Sequence, residues 1–332
     1  MNRRHFLSRS LIGGAVALVS PWEALPRRRR GEEIAVERAV FVMGTVVRIT
    51  IFAPSEQEAL AAGSKAFSEI RRLDRLLSIY RPESDISRIN RAAGDHAPVV
   101  HPDVLNLLES AAYLSSATSG ALDITIGPLM RLWGFRETPR QQAPTYAEVL
   151  RALDRVGLKH MVLDGKTDTA GLTTRGACLD LGGIGVGYAV DRAVEILRRC
   201  GIQRAFINHS GDAYALGAPP DAEGWDIIVP HPIEPGESVA RMQLRDQAVS
   251  TSGNSEKFVL LEGIRRGHIL DPRTGTPGDG FLGMTVTAPS SLTADALSTG
   301  FFCLQRKDLE AGIQKTADIQ ATCVSRRSEE IE

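Results

Sequence analysis

The stretch DLGGIGVGYAVDRA, residues 180–193, places four glycines (Gly182, Gly183, Gly185 and Gly187) directly ahead of a helical pattern. Glycines spaced this way mark backbone that something must approach closely, and a helix N-terminus behind them is a natural anion site. The stretch lies mid-chain with no strand–helix–strand pattern before it. Gly183, Gly185 and Gly187 also leave Tyr188 where a dinucleotide fingerprint of the G-x-G-x-x-G type needs its spacing to close. No lysine followed by Ser or Thr accompanies the glycines, so the loop is not a P-loop. What remains is a phosphate-approaching loop of a different kind, against the plainer reading of a tight turn in a packed sheet.

Around this loop, helical and extended patterns are grouped rather than alternating. VFVMGTVVRITIF, residues 40–52, reads as a strand from its β-branched content. Ser55 with Glu58 forms a capping box that opens a long amphipathic helix to about Leu77, and Thr145 with Glu148 repeats the device. Residues 103–117 read as a helix, as do Tyr188–Cys200 with Gly201 as its terminator. Strands are expected at Ala205–Asn208, Trp225–Val229, Phe258–Glu262 and Met284–Ala288, and Thr293 is expected to cap a final helix to about Leu304. Such grouping predicts an α+β fold rather than a doubly wound sheet. No repeat or composition break follows residue 35, so residues 31–332 read as one domain.

Residues 1–30 stand apart. They hold seven of the 39 Lys and Arg residues and one of the 40 Asp and Glu, which leaves 32 basic against 39 acidic residues in the rest. An acidic body with no aromatic-studded basic stripe argues against nucleic acid as a partner. Arg3-Arg4 followed by Phe6-Leu7 and the apolar run Leu11–Val19 has the layout of a twin-arginine export leader. The run is shorter than the roughly 20 residues of a spanning helix, and nothing later is apolar enough to span. The expectation is therefore a periplasmic protein, membrane-tethered only if the leader is retained. Residues 27–33, RRRRGEE, read as a solvated linker. Cys178, Cys200, Cys303 and Cys323 show no CxxC or CxxH spacing, which argues against a zinc or thiol redox motif and leaves disulfides and buried thiols both open.

Three further stretches carry polar residues in apolar surroundings. GALDITIGPLMRLWGF (120–135) contains Asp123, TSGNSEKFVLLEGIRRGHILDPRTGTP (251–277) brings in His268, and TADALSTGFF (293–302) places Asp295 and Thr299 four apart on one helical face. A carboxylate and a hydroxyl so spaced suit Mg²⁺, which keeps several waters and takes further oxygens from substrate phosphates; helix capping by Asp295 is the plainer alternative.

In this order, nine segments between Met43 and Thr299 resemble the ApbE family of FAD:protein FMN transferases. They are Met43-Gly44-Thr45, Ser78-Ile79-Tyr80, Ser87-Arg88-Ile89-Asn90, LDITIGPLMRLWGF, LDLGGIGVGYAVD, NHSGD (208–212), TSGN, HILDPRTG and ADALST. The resemblance implies a single tunnelling-fold-like α+β unit, with mixed or antiparallel sheets and packed helices, that binds FAD as substrate. With Mg²⁺ it would attach FMN to a Thr or Ser hydroxyl of an acceptor protein, an envelope electron-transfer subunit, and release AMP. It further implies that Met43, Tyr80, the turn Ala121-Leu122-Asp123, Asp180 and Ile269 line the FAD site. The Gly183 carbonyl, Asp295 and Thr299 would hold the metal, and His268 matches a histidine proposed as the base. Val186 occupies a nucleotide-side position that is often lysine or another polar residue in the family. On this view the glycines are bare because FAD and Mg²⁺ crowd against them. The alternatives are an FAD pyrophosphatase yielding FMN and AMP, and an FAD-binding protein without turnover. His209, in NHSGD, is the nearest rival to His268.

Overall fold

A computed structural model describes residues 33–136, 139–254, 257–314 and 316–325, so the expected leader and most of the linker lie outside the described residues. Its centre is a seven-stranded antiparallel sheet of β1 (Ile34–Val42), β2 (Thr45–Ala53), β3 (Arg204–His209), β4 (Asp212–Leu216), β5 (Gln247–Gly253), β6 (Phe281–Ala288) and β7 (Gln320–Ser325). Spatial order follows chain order, so each excursion from the sheet returns to the strand next door. The architecture is α+β.

Side-chain alternation gives the sheet two faces. Val47, Ile49 and Ile51 of β2 and Ala205 and Ile207 of β3 turn inward against the helices α1 (Glu56–Leu77), α2 (Gly185–Arg199) and α3 (Ser291–Phe302). Phe52, Phe206, Ala213 and Val249 face the other way, under a hairpin of Trp225–Pro230 and Ser238–Leu244. The Trp225 ring stacks on Phe206 at 5.3 Å, which anchors that hairpin to the outer face.

Cap chemistry fixes the starts of the helices. Ser55 Oγ accepts from Glu58 N–H and donates to the Glu58 carboxylate, and Ala59, Ala62, Ala66, Ile70, Leu73 and Leu77 then bury one stripe of α1. Thr145 and Glu148 form the full reciprocal box that opens Tyr146–Leu153. α2 begins at Gly185, three residues before the expected start, and Cys200 and Gly201 (φ +80°) end it.

Three sequence expectations need correction. The strand read at 40–52 is two strands, because Met43 and Gly44 both adopt positive φ (52° and 81°) and turn the chain back on itself. A two-residue hairpin loop with positive φ at both positions matches the strand twist, and Met is not a residue that advertises it. The cap of α3 is Ser290, whose Oγ accepts from Thr293 N–H; Thr293 sits three residues into the motif. Nor is α3 the last helix, since Arg306–Gln314 follows. A short helix Asp85–Arg91 was not foreseen. Among the described residues no helix is long and apolar enough to cross a membrane.

Candidate active site

A cleft of about 850 Å³ opens at the end of the sheet where α3, the glycine stretch and the segment around residue 123 meet. Its volume is near the upper end of the ~300–1,000 Å³ usual for small-molecule sites, so it suits a large ligand. Ala121, Leu122, Asp123, Asp180, Gly183, His268, Ile269, Asp295 and Thr299 all line it, although they come from four separate stretches of sequence. Met43, Tyr80 and Val186 are not among its lining residues. Met43 lies beside the start of α2, and Tyr80 is an exposed side chain with the Arg136 guanidinium 5.9 Å from its ring centre.

The turn at 121–123 is held from beneath. Thr118 Oγ1 accepts from Leu122 N–H, and Asp123 accepts from the N–H and hydroxyl of Thr125 at 2.8 and 2.7 Å. Burial raises the Asp123 pKa against those hydrogen bonds. Asp180 is pinned more tightly: its carboxylate takes both Arg136 nitrogens, at 2.7 and 3.1 Å, and the N–H of Gly182 at 3.0 Å. Its own N–H donates to Ile124. The neighbouring Leu179 is clamped by Asn90, whose amide both donates to its carbonyl and accepts from its N–H. Asn90 thus positions the segment leading into the glycines.

The glycines themselves answer to α3. A Cβ at Gly183 would stand 2.8 Å from Thr299 Cγ2, and one at Gly187 would stand 2.4 Å from the Ser291 carbonyl oxygen and 2.8 Å from Asp295 Cβ. At Gly185 the same atom would make only ordinary contacts, 3.5 Å to Leu181 and 4.0 Å to Met43. The expectation that a nucleotide demands the bare backbone is therefore corrected at Gly183 and Gly187: the groups that crowd them belong to the protein. Gly187 N–H donates to Asp295 Oδ2 at 3.0 Å. Asp295 does act as a cap, but for α2 rather than for its own helix.

Asp212, at the start of β4, brings a second carboxylate into the same cleft. Burial pushes Asp212 up to about 7, and burial together with the Asp212 charge holds Asp295 well above the usual carboxylate range. Lys257 also lines the cleft and draws both carboxylates back down. A run of hydroxyls extends from them, Ser250 to Ser298 at 3.0 Å, Ser298 to Ser252 at 2.9 Å and Ser252 to Thr299 at 3.4 Å.

His268 lines the same cleft. Its Nδ1 lies 3.1 Å from the Lys257 carbonyl oxygen, which can only accept, so the ring carries its proton on Nδ1 and leaves the Nε2 lone pair open. Burial, helped by the Lys257 cation, lowers its pKa to about 4, so the imidazole is neutral at physiological pH. His209 is different. It is fully buried between β3 and the Val42 carbonyl and is absent from the cleft lining.

Arg136, Asp212 and Lys257 were not singled out from sequence. Each ends or follows a motif that was: LWGF, NHSGD and TSGN. A charge closing a glycine turn reads as turn chemistry until the fold shows what lies opposite.

Comparison with known proteins identifies the family and the fold. The ApbE family model matches residues 43–323. An FAD:protein FMN transferase of Klebsiella pneumoniae is 33% identical over 289 residues, covering 86% of this chain and 87% of that protein. Among solved structures, the flavin transferase ApbE of Vibrio cholerae superposes with a TM-score of 0.81 at 26% identity. The ApbE protein of Thermotoga maritima gives 0.81 at 30%, and each comparison covers 90% of this chain and 96% of the other.

Proposed function

The chain belongs to the ApbE family, and from that premise we propose that it transfers the FMN half of FAD to a Thr or Ser hydroxyl of an acceptor protein, with Mg²⁺, releasing AMP. The observation that carries this reading is the convergence of Asp212, Asp295 and Thr299 with a neutral His268 in one cleft large enough for a dinucleotide.

The donor set fits a hard divalent cation. Asp295, Asp212, the Thr299 hydroxyl and the backbone at Gly183 offer only oxygens, and two buried carboxylates that repel one another are relieved by a cation between them. Among the described residues no group of three or more His, Cys, Asp or Glu side chains is placed to hold a metal ion. The shell would therefore be completed by water and phosphate oxygens, as suits Mg²⁺. Bound there, Mg²⁺ would neutralise charge on the pyrophosphate and on the departing AMP.

The protein's own groups supply the rest. The turn at 121–123, Ile269 and the Asp180–Arg136 pair would position FAD; Met43, Tyr80 and Val186 stand outside the residues that line the cleft. Arg136 and Lys257 add positive charge. His268 Nε2 would accept the acceptor hydroxyl's proton as oxygen attacks phosphorus, a contribution of about 10²–10⁴-fold for a well-placed base. We further propose that the mature protein acts in the periplasm after twin-arginine export, on an envelope electron-transfer subunit. The test is chromatography of FAD incubated with enzyme, Mg²⁺ and acceptor. AMP should appear in step with loss of FAD and stop on chelation; accumulation of free FMN in equal amount would identify a hydrolase instead.

A further inference from the structure

Helices α2 and α3 meet along a four-residue ladder. Gly183 abuts Thr299, Gly187 abuts Asp295 and Ser291, and Asp191 Oδ1 and Oδ2 accept from the N–H groups of Ser291 and Leu292 at 2.7 and 2.9 Å. The carboxylates are exchanged: Asp295 of α3 caps the N-terminus of α2, and Asp191 of α2 caps the N-terminus of α3. Each is held by N–H groups at the positive end of the other helix.

Two consequences follow from the atoms alone. Asp295 Oδ2 accepts from Gly187 N–H, which fixes the orientation of the carboxylate as a whole. Both Asp191 oxygens are committed, and Asp191 is not among the residues lining the cleft. Moving α3 along α2 by part of a turn would shift Asp295 and Thr299 together relative to Gly183, because all three sit on the same ladder. The close approaches at Gly183 and Gly187 prevent the helices from closing further, but they do not stop them from sliding or separating. The bidentate Asp191 rung resists that movement, one helical turn beyond the Gly187–Asp295 rung and two beyond Gly183–Thr299.

We propose that Asp191 is a positioning residue for the cation site: through α3 it sets where the Asp295 carboxylate and Thr299 stand relative to Gly183. This rests on the functional reading above.

The test is calorimetric titration of MgCl₂ into the FAD-saturated protein, for wild type, Asp191→Ala and Asp191→Asn. Asp191→Ala is expected to weaken Mg²⁺ binding by about 10- to 100-fold, the usual range when a group that orients a metal ligand is removed. Asp191→Asn keeps one acceptor oxygen and should fall between Ala and wild type. Should Asp191→Ala not fold, the Asn variant is read in its place. FAD affinity without Mg²⁺ should stay within about twofold, since Asp191 faces no part of the cleft, and transfer at saturating Mg²⁺ should approach the wild-type rate. A lower melting temperature with an unchanged Mg²⁺ isotherm would reduce Asp191 to a stabilising cap and overturn the proposal. Equal loss of FAD binding with and without Mg²⁺ would do the same. Wild-type protein that takes up no Mg²⁺ alongside FAD would overturn the functional reading first, and this proposal with it.

Discussion

Replacing Gly187 with alanine separates two explanations of the glycine stretch. Gly187 is in ordinary helical conformation, so an added methyl meets no backbone strain and the helix should gain about 1 kcal/mol of propensity. Against that gain stands the Ser291 carbonyl oxygen 2.4 Å from the new Cβ, with Asp295 Cβ at 2.8 Å. A backbone atom cannot rotate away as a flexible side chain would, so α2 and α3 must part. Overpacking of this kind costs about 1–3 kcal/mol, and the rigid neighbour argues for the upper end. The net expectation is a loss of about 2 kcal/mol, a fall in melting temperature of about 4 °C for a domain of this size. Thermal unfolding of the ligand-free protein, followed by circular dichroism, is the assay. Gly185→Ala is the control: two residues away, its methyl makes only ordinary contacts and its melting temperature should hold. If Gly187→Ala left the ligand-free protein as stable as wild type and lowered only FAD affinity, the helix-contact argument would be wrong and the nucleotide would be what demands the glycine.

Other substitutions read the site directly. Asp295→Asn should leave the fold intact, since the amide oxygen can still accept from Gly187 N–H, yet slow flavin transfer by about a hundredfold or more, as for loss of a main electrostatic stabiliser; wild-type rates at limiting Mg²⁺ would remove the metal assignment. His268→Ala should slow transfer by about 10²–10⁴-fold, with the loss easing as pH rises, while FAD and Mg²⁺ binding persist. Because the His268 pKa is lowered to about 4, the wild-type rate profile should show no inflection at 6.5 belonging to this residue; an inflection there that vanishes in His268→Ala would contradict its burial. His209 also falls to about 4 from an ordinary 6.5, by burial. The unfolded chain then binds more protons than the folded one between those values, so the stability this residue contributes is full above 6.5 and is lost as pH falls toward 4. The loss is roughly 3 kcal/mol at most. His268 titrates in the same sense, and Asp212 and Asp295 in the opposite one. The quantity to follow by denaturant unfolding is therefore the difference in unfolding free energy between wild type and His209→Leu, which should change across that range in the direction of wild-type loss as pH falls.

What the sequence revealed was what local chemistry determines. The capping boxes at Ser55 and Thr145 are complete within four residues, so the helices behind them start where the sequence says. The Met43-Gly44 turn was hidden because its positive φ is enforced by strand pairing and not advertised by Met. Ser290 and Thr293 are both hydroxyl residues of one cap, and only geometry shows which accepts. At the site, Asp123, His268, Asp295 and Thr299 stood out as polar residues in apolar runs. Asp212 and Lys257 did not, because a turn aspartate and a lysine gain meaning only when β4 and the segment after β5 are brought opposite α3. The glycines announced a close approach, and the fours separating Gly183 from Gly187 and Asp295 from Thr299 were there to be seen. That these two series face each other is a fact of tertiary packing.

The central claim, that this cleft passes FMN to a protein hydroxyl, is tested most directly by intact-mass and peptide mass spectrometry of an acceptor protein incubated with the enzyme, FAD and Mg²⁺. One added FMN phosphoester is expected on a single Thr or Ser, absent when Mg²⁺ is chelated and absent with Asp295→Asn. An acceptor of unchanged mass, in a mixture where FAD has been converted to free FMN and AMP, would contradict it.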